Sequence, residues 1–262
     1  MGKITDALKK AAEERMDHLE KMSKIKNRDD LVVKKIKESN IDASIITYFD
    51  TKAVISEQYK TLRTNILSKN NGKPPKAFVI TSALPGEGKT VTSLNIAISM
   101  AQAVSKPKIL LIDADLRKGR IAKYLGVKQP VGLSEILTGV AKMEDVVFKL
   151  DNYENLAFIA SGSVPENPSE LLASDEMRKF FVEMKDRFDH VIIDTSPIIP
   201  VTDASILGRL VDGLILVVKA GSTQRGVVKR ALEKLHQSHS AILGHVLTNI
   251  EYHLPEYIYR YL

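Results

Sequence analysis

The sequence predicts a doubly wound α/β fold with a mostly parallel sheet, and three observations carry that prediction. Short apolar runs at Phe78–Thr81, Ile109–Asp113, Leu156–Ala160, Val191–Asp194, Leu214–Lys219 and Gly244–Leu247 alternate with stretches of helical period. Most of these runs are unbroken Val, Ile and Leu, the mark of strands covered on both faces. The first run leads into a glycine-rich turn and then a helix, Val91 to Ala103, so a ligand is expected at the carboxyl ends of the strands.

A chain of 262 residues suits one such domain with appendages, and a hydrophobic content of 44% is ample for its core. The absence of cysteine excludes disulfides, thiolate metal sites, iron–sulfur clusters and cysteine nucleophiles, and fits the cytoplasm. No apolar stretch approaches the roughly 20 residues of a membrane span, and the first residues lack a secretory apolar region. Asp6 breaks the myristoylation pattern. The net charge of +6 allows attraction to anionic surfaces, but the charges are scattered rather than blocked. A solvated surface is the simpler reading, and no nucleic-acid partner is expected.

The elements follow in chain order. Residues 1–25 read as an amphipathic helix, with Ile4, Leu8, Ala12, Met16, Leu19 and Met22 at three- and four-residue steps. Its apolar stripe suits packing on its own domain or a partner; the mixed charges on the other face weigh against a membrane-surface role. Residues 26–52 show interspersed charge without a clear period and read as a linker. A second helix is expected over Ile55–Leu67, with Glu57, Lys60 and Arg63 close to one face. Asn71-Gly72-Lys73-Pro74-Pro75 breaks the chain before the first core strand. Later, Asn167-Pro168-Ser169-Glu170 has the signature of a capping box with proline at the first helical position, and another helix begins at Thr202-Asp203.

The turn after the first strand, Ala83-Leu84-Pro85-Gly86-Glu87-Gly88-Lys89-Thr90, has the form of a phosphate-binding loop of P-loop NTPase type. Gly86 and Gly88 let backbone N–H groups turn inward toward an anion, and the following helix adds the positive end of its dipole. Lys89 reaches outer phosphates and the Thr90 hydroxyl suits magnesium. Ala83 stands where the first glycine of the usual pattern falls. Two further strands end in acid: Ile112-Asp113-Ala114-Asp115 and Ile193-Asp194-Thr195. An extended chain would aim Asp113 and Asp115 the same way. Magnesium wants oxygen ligands, so Thr90 with one or two of these carboxylates would complete its shell around the phosphates. One carboxylate of the Asp113/Asp115 pair is then left to accept a proton from an incoming hydroxyl. Taken singly, each acid could equally cap a strand end or a turn.

Together these motifs resemble the Walker A, A′ and B motifs of the bacterial tyrosine kinases, the P-loop autokinases of capsule and exopolysaccharide assembly. The residues are Ser82–Thr90, Leu111-Ile112-Asp113-Ala114-Asp115-Leu116-Arg117 and Ile192-Ile193-Asp194-Thr195-Ser196-Pro197, with Asn167–Leu172 and Val201-Thr202-Asp203-Ala204 matching too. The resemblance covers roughly residues 53–250. It implies ATP and Mg2+ as cofactors, with Pro85, Gly86, Glu87, Gly88, Lys89, Thr90 and Val91 around the phosphates and Asn249 at the base. It assigns the metal to Thr90, Asp113 and Asp194 and the chemistry to Lys89, Asp113 and Asp115, without dividing the last two roles. The family's ring-building Glu-x-x-Arg-x-x-Arg stands here as Glu57-x-x-Lys60-x-x-Arg63, where lysine keeps the charge but loses the planar fork. The implied partners are copies of itself in a ring and a separate transmembrane activator, a polysaccharide co-polymerase, which would hold the protein at the inner face of the plasma membrane.

Three segments result: a helix and linker over 1–52, the kinase domain over 53–250 and a tyrosine-rich tail over 251–262. Tyr252, Tyr257, Tyr259 and Tyr261 in that tail are the implied phosphoacceptors, although a small aromatic patch pinning the terminus is the plainer alternative. The rival functions are a partition or positioning ATPase switch and a non-catalytic, ATP-bound scaffold. The switch carries a lysine five residues before the P-loop lysine to reach across a dimer; here that position is Leu84, which cannot supply the charge.

Overall fold

The computed structural model describes residues 34–36, 41–68, 74–128, 131–238 and 240–250. The helix expected over 1–25 and the four tail tyrosines lie outside the described residues. The strands are β1 (Lys34–Ile36), β2 (Ala77–Ser82), β3 (Ile109–Asp113) and β4 (Val147–Leu150), then β5 (Tyr153–Ile159), β6 (His190–Asp194), β7 (Gly213–Lys219) and β8 (Ile242–Thr248). The helices are α1 (Ile46–Phe49), α2 (Val54–Leu67), α3 (Lys89–Ala101), α4 (Ile121–Tyr124) and α5 (Leu133–Leu137). They continue with α6 (Met143–Val146), α7 (Pro168–Ala173), α8 (Asp175–Arg187), α9 (Asp203–Gly208) and α10 (Arg225–Gln237).

One sheet runs in the order β1-β4-β5-β3-β6-β2-β7-β8. Every pairing is parallel except β4 with β5. All six expected strands are present. The sequence reading missed two, β1 and β4. β4 and β5 are joined by Asp151-Asn152, a two-residue turn of hairpin type between apolar runs. Four residues interrupted by Lys149 were too short to show a period.

The central strands are buried along their whole length, as their unbroken apolar composition requires. Helix α3 lies on them with Thr90 and every residue from Thr92 to Ala101 buried, because α1 and α2 cover its other side. Residues 41–50, read as linker, belong to this packing. Ile45 is fully buried, and the Thr47 hydroxyl donates to Asn95 Oδ1 of α3 at 2.9 Å. A four-residue helix is too short to display its period in sequence. The capping box expected at Asn167 is not formed. Pro168 does open α7, but the Asn167 side chain accepts no cap bond, and the Ser169 hydroxyl donates to Asp203 Oδ1 at 2.6 Å instead. Among the described residues, no helix is long and apolar enough to cross a membrane.

Strand register fixes the site. Ile80 pairs with Asp194 and Asp194 with Asp113, so the carboxyl ends of β2, β6 and β3 finish at one level. The chain turns to opposite sides of β2 to lay down β6 and β7, which makes this the switch point where such sheets bind ligands.

Candidate active site

The P-loop leaves β2 at Ser82 and enters α3 at Lys89. Gly86 (φ 83°) and Gly88 (φ 92°) are both left-handed, which is why glycine stands at these two turns. Glu87 locks the loop from behind. Its buried carboxylate accepts from Leu84 N at 2.6 Å, from Lys219 N at 3.4 Å and from the Thr223 hydroxyl. The Thr248 hydroxyl at the end of β8 donates to the Glu87 carbonyl at 2.7 Å. Asn249 follows in a left-handed conformation (φ 54°), so the residue expected at the base sits one position beyond a P-loop contact.

Lys89 opens α3 and reaches into a cluster of acids. Its Nζ lies 3.0 Å from Asp115 Oδ2 and 3.6 Å from Asp194 Oδ2. The Thr90 hydroxyl donates to Asp194 Oδ2 at 2.6 Å, and the Ser93 hydroxyl, one helical turn past Lys89, donates to Asp194 Oδ1 at 3.1 Å. Asp113 is fully buried; its Oδ1 accepts from Asp115 N at 3.2 Å and its Oδ2 from Ile121 N at 2.9 Å. Asp115 is buried too, at 5% exposure. Its Oδ1 accepts from the Ser196 hydroxyl at 2.8 Å and from Lys118 N at 3.1 Å, leaving Oδ2 to Lys89.

Burial, with Asp194 alongside, pushes the Asp113 carboxyl up to about 7. Burial also raises Asp194, against the pull of Lys89. For Asp115, burial is outweighed by Lys89 and Ser196, and its carboxyl sits below the ordinary range. Burial pulls the Lys89 ammonium down, but Asp194 and Asp115 together hold it above its usual value. Three carboxylates thus crowd around one lysine, and two of them are driven toward their protonated forms.

The structure thus brings Lys89, Thr90, Asp113, Asp115 and Asp194 together. It places Glu57, Lys60 and Arg63 apart from them, on α2. There Lys60 Nζ lies 2.7 Å from Glu57 Oε1, so these two pair with each other in the single chain, and Arg63 donates to the Ser99 carbonyl of α3. Sequence reasoning missed Ser93 and Ser196 as partners of the acids. Ser93 could have been found as the residue one turn after Lys89, and Ser196 as the hydroxyl two residues after Asp194 in the Ile192–Pro197 stretch. It also gave no role to the link between Arg117 and Asp203. Asp203 is fully buried, Arg117 Nε lies 3.1 Å from its Oδ2, and Arg117 Nη2 donates to Ser169 at 2.8 Å.

Comparison with known proteins agrees with this geometry. A family model described as an AAA domain matches residues 76–242. The tyrosine-protein kinase YwqD of Bacillus subtilis is 38% identical over 217 residues, covering 83% of this chain and 90% of its own. The kinase domain of the Escherichia coli tyrosine kinase ETK superposes with a TM-score of 0.72 at 32% identity, covering 80% of this chain and 84% of that one. The cell division ATPase MinD of Pyrococcus furiosus gives a TM-score of 0.53 at 26% identity, over 66% of this chain and 71% of its own.

Proposed function

This chain belongs to the bacterial tyrosine kinases, and from that membership we propose that it transfers the γ-phosphoryl group of ATP to Tyr252, Tyr257, Tyr259 and Tyr261 of a neighbouring copy. The observation that carries the proposal is the meeting of the P-loop lysine with two strand-end carboxylates, Asp115 at 3.0 Å and Asp194 at 3.6 Å. A P-loop alone would serve any nucleotide-binding protein. A carboxylate beside that lysine, held in its ionised form, is what an incoming hydroxyl requires.

The donor set fits a hard divalent cation. Thr90 and Asp194 offer two oxygens 2.6 Å apart, and Asp113 pairs with Asp194 across the strands. The crowding of three carboxylates around one lysine is the second sign of that fit. Thr90 and Asp194, with Asp113 behind them, would hold Mg2+, which supplies charge neutralisation across the outer phosphates when bound. The P-loop amides from Gly86 to Thr90 and Lys89 hold those phosphates. Asp113 fixes the backbone at Asp115 and Ile121. Asp115 accepts the proton of the attacking tyrosine hydroxyl; the new O–P bond forms on the tyrosine oxygen, the bond to the β-phosphate oxygen breaks, and ADP leaves. Asn249 contacts the base.

The position where a switch ATPase needs its second lysine is Leu84, and its N–H is engaged by Glu87 at 2.6 Å. That weighs against a dimerising switch. Glu57 and Lys60 are surface groups that can exchange each other for a neighbouring subunit and so build a ring. A separate transmembrane protein brings the kinase to the inner face of the plasma membrane for capsule or exopolysaccharide assembly. Incubating the purified chain with labelled ATP and mapping the labelled residues tests the proposal. Label on the tail tyrosines is expected; hydrolysis of ATP without any protein label would refute it.

A further inference from the structure

The loop that carries the chain from β3 to α4 is basic, exposed and fastened to the candidate catalytic carboxylates. Arg117, Lys118, Gly119 and Arg120 are all exposed, directly after the buried Asp113-Ala114-Asp115. The backbone is tightly held. Lys118 N donates to Asp115 Oδ1 at 3.1 Å and Ile121 N to Asp113 Oδ2 at 2.9 Å. A Cβ added at Gly119 would lie 2.0 Å from Ser161 Oγ and 3.0 Å from Asp113 Oδ2. Arg117 is committed to Asp203 and Ser169. The side chains of Lys118 and Arg120 make no hydrogen bond or ion pair with any described residue.

The Lys118 and Arg120 side chains add none of these contacts, and like charges on one loop repel each other. The arrangement suits an anion arriving at the site. The nucleotide phosphates are an unsuitable occupant because of the orientation of Asp115. Its Oδ2 faces Lys89 and its Oδ1 accepts from Lys118 N and Ser196, so the basic loop meets Asp115 at the oxygen that the P-loop lysine does not hold.

We propose that Lys118 and Arg120 form an anion subsite of the acceptor groove, which takes a phosphotyrosine already formed on the incoming tail. The inference rests on the kinase reading above. Tyr257, Tyr259 and Tyr261 are spaced by two residues. In an extended segment such residues share a face about 7 Å apart. With the Tyr257 hydroxyl at Asp115, the group at 259 falls on the same face one repeat along. A phosphate there brings a charge of roughly −1.5 to −2 and three acceptor oxygens, which an ammonium and a guanidinium grip well. The first phosphorylation of a tail thus promotes the next. The substrate class is a tyrosine segment with a phosphotyrosine two residues away.

The test uses the full chain with its four tail tyrosines changed to Phe, and synthetic peptides of residues 251–262 with Tyr257 as the sole acceptor. Positions 252 and 261 are Phe, and position 259 carries phosphotyrosine, Glu or Phe. The phosphotyrosine peptide is expected to show kcat/KM about tenfold above the Phe peptide, mainly through KM, as one charge-assisted contact would give. In a folded Lys118→Ala/Arg120→Ala variant that ratio should fall below about twofold, with Glu intermediate in the parent. Equal rates for the phosphotyrosine and Phe peptides, or a preference that survives in the variant, overturn the subsite. A Glu peptide as good as the phosphotyrosine peptide overturns the phosphate assignment. If no peptide is labelled, the kinase reading falls and the subsite with it; labelling without preference removes the subsite alone.

Discussion

Lys89→Met is expected to damage the fold as well as the chemistry. Seen in sequence, the change removes a charge from an exposed loop and should leave the fold intact. The structure alters that expectation, because the Lys89 side chain is only 12% exposed and its ammonium lies among Asp115, Asp194 and Asp113. Removing one partner of a buried ion pair costs about 3–5 kcal/mol. Asp113 and Asp194 are already pushed toward their protonated forms, which places this case near the lower end, about 3 kcal/mol. For a domain of this size that is a fall in Tm of roughly 6–12 °C. The loss should depend on pH. The folded value for Asp113, about 7, lies above its unfolded value of 3.8, so the folded state holds the extra proton between them and stability falls as pH rises through that window. Lys89 works against that rise, so without it the acids hold their protons to higher pH, and the deficit of the variant is larger at pH 8 than at pH 5. Thermal unfolding followed by circular dichroism, without nucleotide or metal, measures it. Lys89→Met/Asp194→Asn should recover about half of the loss, since one buried charge is gone and the Thr90 and Ser93 hydroxyls can turn to suit an amide. A single variant that melts with the parent at pH 8, or a double variant less stable than the single, would refute the reasoning.

Asp115→Asn should lower tail phosphorylation about 10²-fold or more while nucleotide binding, measured by calorimetry, is retained; a near-normal rate would make Asp115 structural. Glu87→Gln takes the charge from every donor facing its carboxylate and turns an NH2 group toward Leu84 N or toward Lys219 N and the Thr223 hydroxyl, which are left without an acceptor. Nucleotide affinity should weaken about 5- to 30-fold, the value of 1–2 kcal/mol, and an unchanged Kd would show that the loop holds its shape unaided. Replacing Glu57, Lys60 and Arg63 together with Ala should leave a monomer by light scattering with helix content retained. If the assembly is unchanged, the Glu57–Lys60 pair is no more than a solvated i, i+3 contact.

The parts of this molecule that were legible in sequence are those whose cause is local. Gly86 and Gly88 stand where two left-handed turns demand them, and Asp113 and Asp194 end strands whose apolar composition marks them as buried. Register alone then sets the two acids side by side. The unread parts depend on residues far apart in the chain. Ser196 finds Asp115 across 81 residues and Ser93 finds Asp194 across 101, and although Ser196 lies within the Walker B-like stretch, no local pattern names either partner. Asn167 shows a local rule that fails: Pro168 opens the helix, but the Asn167 side chain makes no cap bond. Glu57 and Lys60 show the reverse, since their spacing permits the pair they form as readily as a bond to a neighbour.

Phosphorylation between copies tests the central claim most directly. The thirteen residues after Asn249 span at most roughly 47 Å when extended, at about 3.6 Å each, so a tail can reach beyond its own subunit. An active chain whose Tyr252, Tyr257, Tyr259 and Tyr261 are Phe is mixed with a Lys89→Met/Asp194→Asn chain that keeps those tyrosines, in the presence of a membrane activator. Mass spectrometry then reads the inactive tail. Phosphotyrosine on that tail is the predicted result. A tail that stays unmodified in this mixture, while the active chain hydrolyses ATP, contradicts the account.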